Sequence, residues 1–317
     1  MKILSLSVLC ILSGFAAEEP PLRELSTQAV PFPNSIAPLF RRGFLVMFPP
    51  GAAAGTHPPL SSVKYGFSVY APDGNSAFSR NIDMPEGSQP VVRDVDFDSD
   101  GGAAVAASAQ GGASGFIMGI LLLDHTGRQT GFINTGRYQP TAIAIAPDHS
   151  IWTLGWQMEA DRSPYPDRQD YMIVRQYSAD GKEAKKCLPR SSFPAGLEPG
   201  NGGPSVHIEV TRDRVGVLAY SGNTSGNAEW IELDLNGNLL NRSRVDSMMP
   251  NAAAFTENDH VYLGGFTRDV YTFDAASRAW RPIPKHEGTF MGVEGNSLVY
   301  RQGRNSGPIQ LRWFSEP

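Results

Sequence analysis

Two short stretches hold paired ionisable residues that could do chemistry. Asp94 and Asp96 stand in "VRDVDF", and His207 and Glu209 stand in "VHIEV", each pair two residues apart. Side chains of an extended strand alternate with a period of two, so each pair lies on one side of its strand. Histidine with carboxylates suits Zn or Mn, and carboxylates with water suit Ca. All four are therefore candidate metal ligands. The same groups would make a polar ligand pocket, with Arg93 and Asn251 near its mouth. The plainest reading has them lining a solvated channel and bonding to backbone groups and water. At this point all three readings are open.

Other signals are weaker. "DVDFDSDGG" alternates acids as a calcium loop does, but position twelve from Asp96 is Ala107, where such a loop needs a carboxylate. A tight hairpin explains Asp98, Asp100 and Gly101 without a metal. Trp156, Tyr165, Tyr138 and Phe193 could stack on a sugar or a peptide, although core packing is the commoner fate of a tryptophan such as Trp156. There is no nucleophile elbow, P-loop, H-E-x-x-H or cysteine-rich zinc pattern. The net charge of -5 comes with no basic run, which argues against a nucleic-acid partner.

The first residues read as a secretory signal. Lys2 gives a positive start, Ile3 to Phe15 form an apolar run, and Gly14 and Ala16 are the small residues of a cleavage site after Ala16. The run is shorter than the roughly 20 residues needed to span hydrocarbon. We therefore expect a secreted or periplasmic chain with no membrane span once residues 1–16 are removed. Of the two cysteines only Cys187 then remains, so no internal disulfide is possible. Beside Lys185 and Lys186 its thiol could be slightly activated; an inert cysteine in an outer strand is the expected state.

The elements that position these residues repeat along the chain. "AIAIAPDHSIWTLGW" is two strand-like runs around a turn at Pro147–His149. The same shape recurs around Asp100, Asp213, Asn258 and Gly295. Second hairpins turn at Gly74, Gly127, Gly181, Gly237 and Ser277, in steps of 53, 54, 56 and 40 residues. Repeats of this length holding four short strands indicate a β-propeller, since a lone blade cannot bury both of its faces. The expected fold is all-β: a six-bladed propeller of four-stranded antiparallel blades over residues 40–317. Its sixth blade has three strands, and the segment 17–39, around "STQAVPFP", would supply the closing fourth.

Aligning the innermost strands on their turns places Asp94 and Asp96, Ala142 and Ala144, His207 and Glu209, and Ala252 and Ala254 in one column. The alanines leave room for the ionisable groups. Connections between strands two and three, and between blades, are long (49–62, 157–169, 189–204 and 221–227), while the hairpin turns are tight. Function tends to sit on elaborated loops held by a rigid frame, so the long-loop face is the expected working surface.

The "P-x-x-I-A-I-A-P-D" hairpin unit resembles blades of NHL-repeat and TolB-like six-bladed propellers. "HVYLGGFTRDVYTFDAASRAW", with Gly264-Gly265, Tyr271 and Trp280, is similar to a single Kelch blade. The resemblance implies a fold; propellers serve as enzymes, binders and scaffolds alike. Our expectation is a binding or protein-interaction module, monomeric, that meets a protein, peptide or carbohydrate ligand through Arg93, Asp94, Trp156, Tyr165, His207 and Asn251. The alternative is a metal-dependent hydrolase of the gluconolactonase-like kind, with Ca, Zn or Mn on Asp94, Asp96, His207 and Glu209.

Overall fold

The computed structural model describes residues 22–30, 39–48, 66–71, 75–85, 87–111, 115–157, 170–193, 207–220, 228–245, 250–265, 269–283, 287–302 and 309–317. Residues 1–16, read above as a signal, and Tyr165 lie outside them. Among the described residues no helix is long and apolar enough to cross a membrane.

Six antiparallel sheets of four strands follow one another along the chain. Blade I holds β2 (Leu39–Arg41), β3 (Phe44–Met47), β4 (Gly66–Tyr70) and β5 (Ser76–Asn81), and blade II holds β6 (Gly87–Phe97), β7 (Ala103–Gly111), β8 (Phe116–Leu123) and β9 (Gln129–Asn134). Blade III holds β10 (Tyr138–Ile145), β11 (Ile151–Gln157), β12 (Met172–Tyr177) and β13 (Glu183–Pro189). Blade IV holds β14 (His207–Val210), β15 (Arg214–Tyr220), β16 (Ala228–Asp234) and β17 (Leu239–Val245). Blade V holds β18 (Pro250–Phe255), β19 (Val261–Gly265), β20 (Val270–Asp274) and β21 (Ala279–Pro282). Blade VI holds β22 (Thr289–Glu294), β23 (Ser297–Gln302), β24 (Ile309–Ser315) and, as its outer strand, β1 (Glu24–Val30).

The expected six blades of four antiparallel strands are therefore present, and β1 pairs antiparallel with β24 from Glu24↔Phe314 to Val30↔Ile309. Arg312 donates to both carboxylate oxygens of Glu24, at 3.0 and 2.5 Å, across that pairing. The innermost strands β2, β6, β10, β14, β18 and β22 each touch the next, and β22 touches β2, so they ring a central axis.

Alternation decides what lies between the blades. Val95 and Phe97 of β6 join Val46, Phe67 and Phe78 of blade I, while Ile143 and Ile145 of β10 join Ala104, Ala106 and Ile120 of blade II. Equivalent layers fill the other four interfaces, from Ala142 and Trp152 with Ile208 and Val217 to Val299 and Leu311 with Phe40 and Leu45. Burying both faces of each sheet is what makes separate blades one body. Contact is close enough to require glycine at 216, where a Cβ would meet the Trp230 ring at 2.3 Å and Phe255 at 2.6 Å.

The turns repeat one device. The Asp98 side chain accepts N–H groups of Asp100 and Gly102, Asp124 those of Thr126 and Arg128, and Asp234 those of Asn236 and Asn238. An aspartate that bonds the backbone two and four residues on stabilises a tight turn. Asp98 therefore acts within its own hairpin.

Candidate functional site

Strand alternation turns Asp94 and Asp96 away from the blade I core and toward blade III. β10 is an innermost strand, so the N–H groups on its axial edge have no strand partner, and each needs one. Asp94 Oδ2 accepts from Ile143 N–H at 3.0 Å, and Asp96 Oδ2 accepts from Ile145 N–H at 2.7 Å. Asp94 Oδ1 also accepts from Val95 N–H at 2.9 Å. Both aspartates are buried.

Two arginines of blade I enter the same space. The hairpin between β2 and β3 turns on Arg42 (φ 47°) and Gly43 (φ 84°), with Arg41 facing Phe44. Positive φ at both positions is the type I′ turn of a two-residue hairpin, and it is uncommon for a residue like arginine. The conformation brings Arg42 to the axis. Its Nε lies 3.5 Å from Asp96 Oδ2, and its Nη2 donates to Ile145 O. Arg41 Nη2 donates to His207 Nδ1 at 2.8 Å and lies 3.5 Å from Asp94 Oδ1.

This contact assigns the histidine tautomer. Arginine has donors only, so Nδ1 of His207 carries the lone pair and Nε2 carries the proton. Nε2–H donates to Glu209 Oε1 at 2.7 Å. His207 thus bridges a guanidinium and a carboxylate. The resulting network links blades I, II, III and IV.

Burial and charge set the protonation of these groups. Burial pushes the Asp96 carboxyl up to about 6; Arg42 opposes the shift and Glu209 adds to it. Burial would also raise Glu209, yet the His207 hydrogen bond and the charges of Arg41 and Arg42 bring it below its ordinary value. Burial works against charge on Arg41, but Asp94, Glu209 and Asp96 together raise its pKa.

The four candidate metal ligands therefore do converge on the axis, as the column alignment predicts. Each, however, engages a protein group: Asp94 and Asp96 the blade III backbone and two guanidiniums, His207 and Glu209 one another. Among the described residues no three His, Cys, Asp or Glu side chains are placed to hold a metal ion together. Arg41 and Arg42 are the residues that sequence reasoning misses. Aligning "FRRGF" on its turn puts Arg41 in the same column as Asp96 and Glu209, so the signal is present in the irregular first blade.

The remaining candidates have structural partners. Arg93 donates to Ser108 Oγ at 3.4 Å, and with the Gln139 amide turned so that its oxygen faces the guanidinium it also donates from Nε and Nη2 at 2.9 and 3.1 Å. It joins blades II and III. Trp156 is partly buried against the core between blades III and IV. Tyr138 is buried, donates to Ile173 O at 2.8 Å and carries Arg175 4.1 Å above its ring. Phe193 is buried under Arg242. Asn251 belongs to β18, with its side chain outside the description. Cys187 is buried and its thiol is pushed up to about 11, the inert state expected of it.

A cavity of about 860 Å³ lies directly over the network. Arg41, Asp96 and Glu209 form its floor, and the strand-one-to-strand-two turns of blades III to VI form its wall, from Pro147 to Gly295. It opens on the tight-turn side. The long connections at 49–62, 158–169, 194–204 and 221–227 lie outside the described residues. This concave site is thus at the end of the axis opposite to the one loop length suggests.

No protein-family model matches this chain, and a search of curated proteins returns no match to it.

Proposed function

We propose that this chain is an exported interaction module of the six-bladed propeller class, which takes its ligand on the axis at the mouth formed by the tight turns. The fold itself is consistent with a protein-interaction role, because a rigid ring can present varied loops without changing its frame. One observation carries the axial reading. The ionisable groups of the channel hold each other and the blade III backbone, while an open cavity sits immediately above them. The groups on the floor are thereby fixed in place, and preorganised polar groups in a concave site are what a binding pocket requires. Lys2, the apolar run to Phe15 and the small residues at 14 and 16 support export. The NHL-like hairpin units support placing the chain beside propellers of that type.

Hydrogen–deuterium exchange during a screen of peptides, glycans and small organic ligands tests this. Hits should protect the turns at 211–213, 256–259 and 294–296. Hits that protect only the outer strands β5, β9, β13, β17 and β21 would place recognition on the rim and overturn the axial reading.

A further inference from the structure

The charges around the axial cavity indicate what kind of ligand it takes, and the inference rests on the axial reading above. Asp96, Glu209, Asp213, Glu257, Asp259 and Glu294 line it, against Arg41, Arg42 and Arg212. The carboxylates come from four blades and outnumber the guanidiniums two to one. Arg41 and Arg42 already face Asp94 and Asp96. Arg214 reaches in from behind the wall, 3.4 Å from Asp213 and 3.5 Å from Asp259. Glu294 accepts from the Trp313 indole N–H at 2.6 Å. Glu257 is exposed at the rim, and among the described residues its carboxylate has no hydrogen bond or ion pair. A concave, low-dielectric site with excess negative charge attracts cations.

The carboxylates do not gather around one point, as the absence of a metal-holding set among the described residues indicates. A metal ion needs its ligands within about 2.6 Å of a single centre. The cavity instead has the volume of an organic-ligand site, since such sites hold roughly 300–1,000 Å³.

We propose that this cavity binds an organic cation, a primary ammonium or guanidinium, with its head group at Glu257. A free polyamine and the lysine or arginine side chain of a partner peptide offer the same chemistry.

Calorimetric titration of the full chain with spermidine, agmatine and a Gly-Lys-Gly-Lys-Gly peptide tests the proposal, with glutarate and hexanediol as the anionic and neutral probes. Exchange protection of the turns locates any binding. The cations should bind, and salt should weaken them. Binding of the free amines alone assigns a small-molecule ligand, and binding of the peptide alone assigns a protein partner; either supports the proposal. Glu257→Gln should weaken binding about tenfold, while Arg212→Gln should strengthen it a few-fold. Both positions are exposed, so the melting temperatures of the free variants should match the parent. If glutarate or hexanediol protects the turns as well as spermidine does, and Glu257→Gln changes nothing, the cation assignment is wrong and axial binding stands. If no probe of any charge protects the turns, the cation assignment falls; if the broader screen described above also leaves them unprotected, axial binding falls with it.

Discussion

Arg41 and His207 meet across the propeller axis, the Arg41 Nη2 donating to His207 Nδ1 at 2.8 Å although 166 residues separate them in the chain. Through this bond blade I is tied to blade IV, and the ion pair to Asp94 ties it to blade II. The cavity above rests on the pair.

Arg41→Met should remove both ties and leave Asp94 and His207 facing an uncharged side chain. Breaking a buried pair by deleting one partner costs about 3 kcal/mol or more. Denaturant unfolding should show that loss. Arg41→Lys keeps the charge without the planar fork and should recover only part of it. Parent-like stability of Arg41→Met would mean the network contributes nothing to the ring.

Asp96 should make stability depend on pH in an unusual direction. An aspartate titrates near 3.8 when unperturbed and near 6 here. Between these values the folded chain holds the proton more tightly than the unfolded chain, so stability falls as pH rises through the window. The effect amounts to about 3 kcal/mol, complete above pH 6. Glu209, shifted downward, acts oppositely: its contribution is present above the ordinary glutamate value and fades as pH falls. Asp96→Asn should abolish the first effect, so the stability difference between parent and variant should change between pH 4 and 7. Parallel curves would exclude Asp96 as the titrating group.

Gly216→Ala should destabilise the interface between blades IV and V. The new methyl would have to displace the Trp230 ring, which is fully buried. Overpacking of this kind costs about 1–3 kcal/mol, visible as a lower melting temperature.

Deleting residues 22–30 should be far more harmful than removing the ion pair at the same place. Arg312→Ala breaks a contact with Glu24 worth about 1 kcal/mol at most, together with a hydrogen bond to Gln302 and a contact with the Phe314 ring. The deletion leaves the edge of β24 unpaired and takes Leu22 from the core between blades V and VI. Size-exclusion chromatography should show association of the truncated chain and a monodisperse Arg312→Ala.

Export predicts a mature chain beginning at Ala17. Intact mass of the protein recovered from the exporting compartment checks it; retention of residues 1–16 there would contradict a cleaved signal.

Much of the frame was legible because its causes are local. Alternating apolar residues, as in Ile143 and Ile145, and turn formers, as in Pro147 to His149, act within one hairpin. The repeat of that hairpin implies a ring, because no blade can bury both faces alone. The column of Asp94, Asp96, His207 and Glu209 was also legible, since strand period and turn position define it. Their chemistry stayed open among three readings, and of these the bonding to backbone groups is what Asp94 and Asp96 display, accepting the edge N–H groups of Ile143 and Ile145.

From its residues alone this chain specifies strands, turns, blade number and the inward-facing column, since each follows from neighbours within a few tens of residues. Which groups face one another over the axis, and at which end the space between them opens, depends on ring closure. Arg41 and Arg42 lie far in sequence from His207 and Asp96, and only the closed ring brings charges that distant close enough to pair.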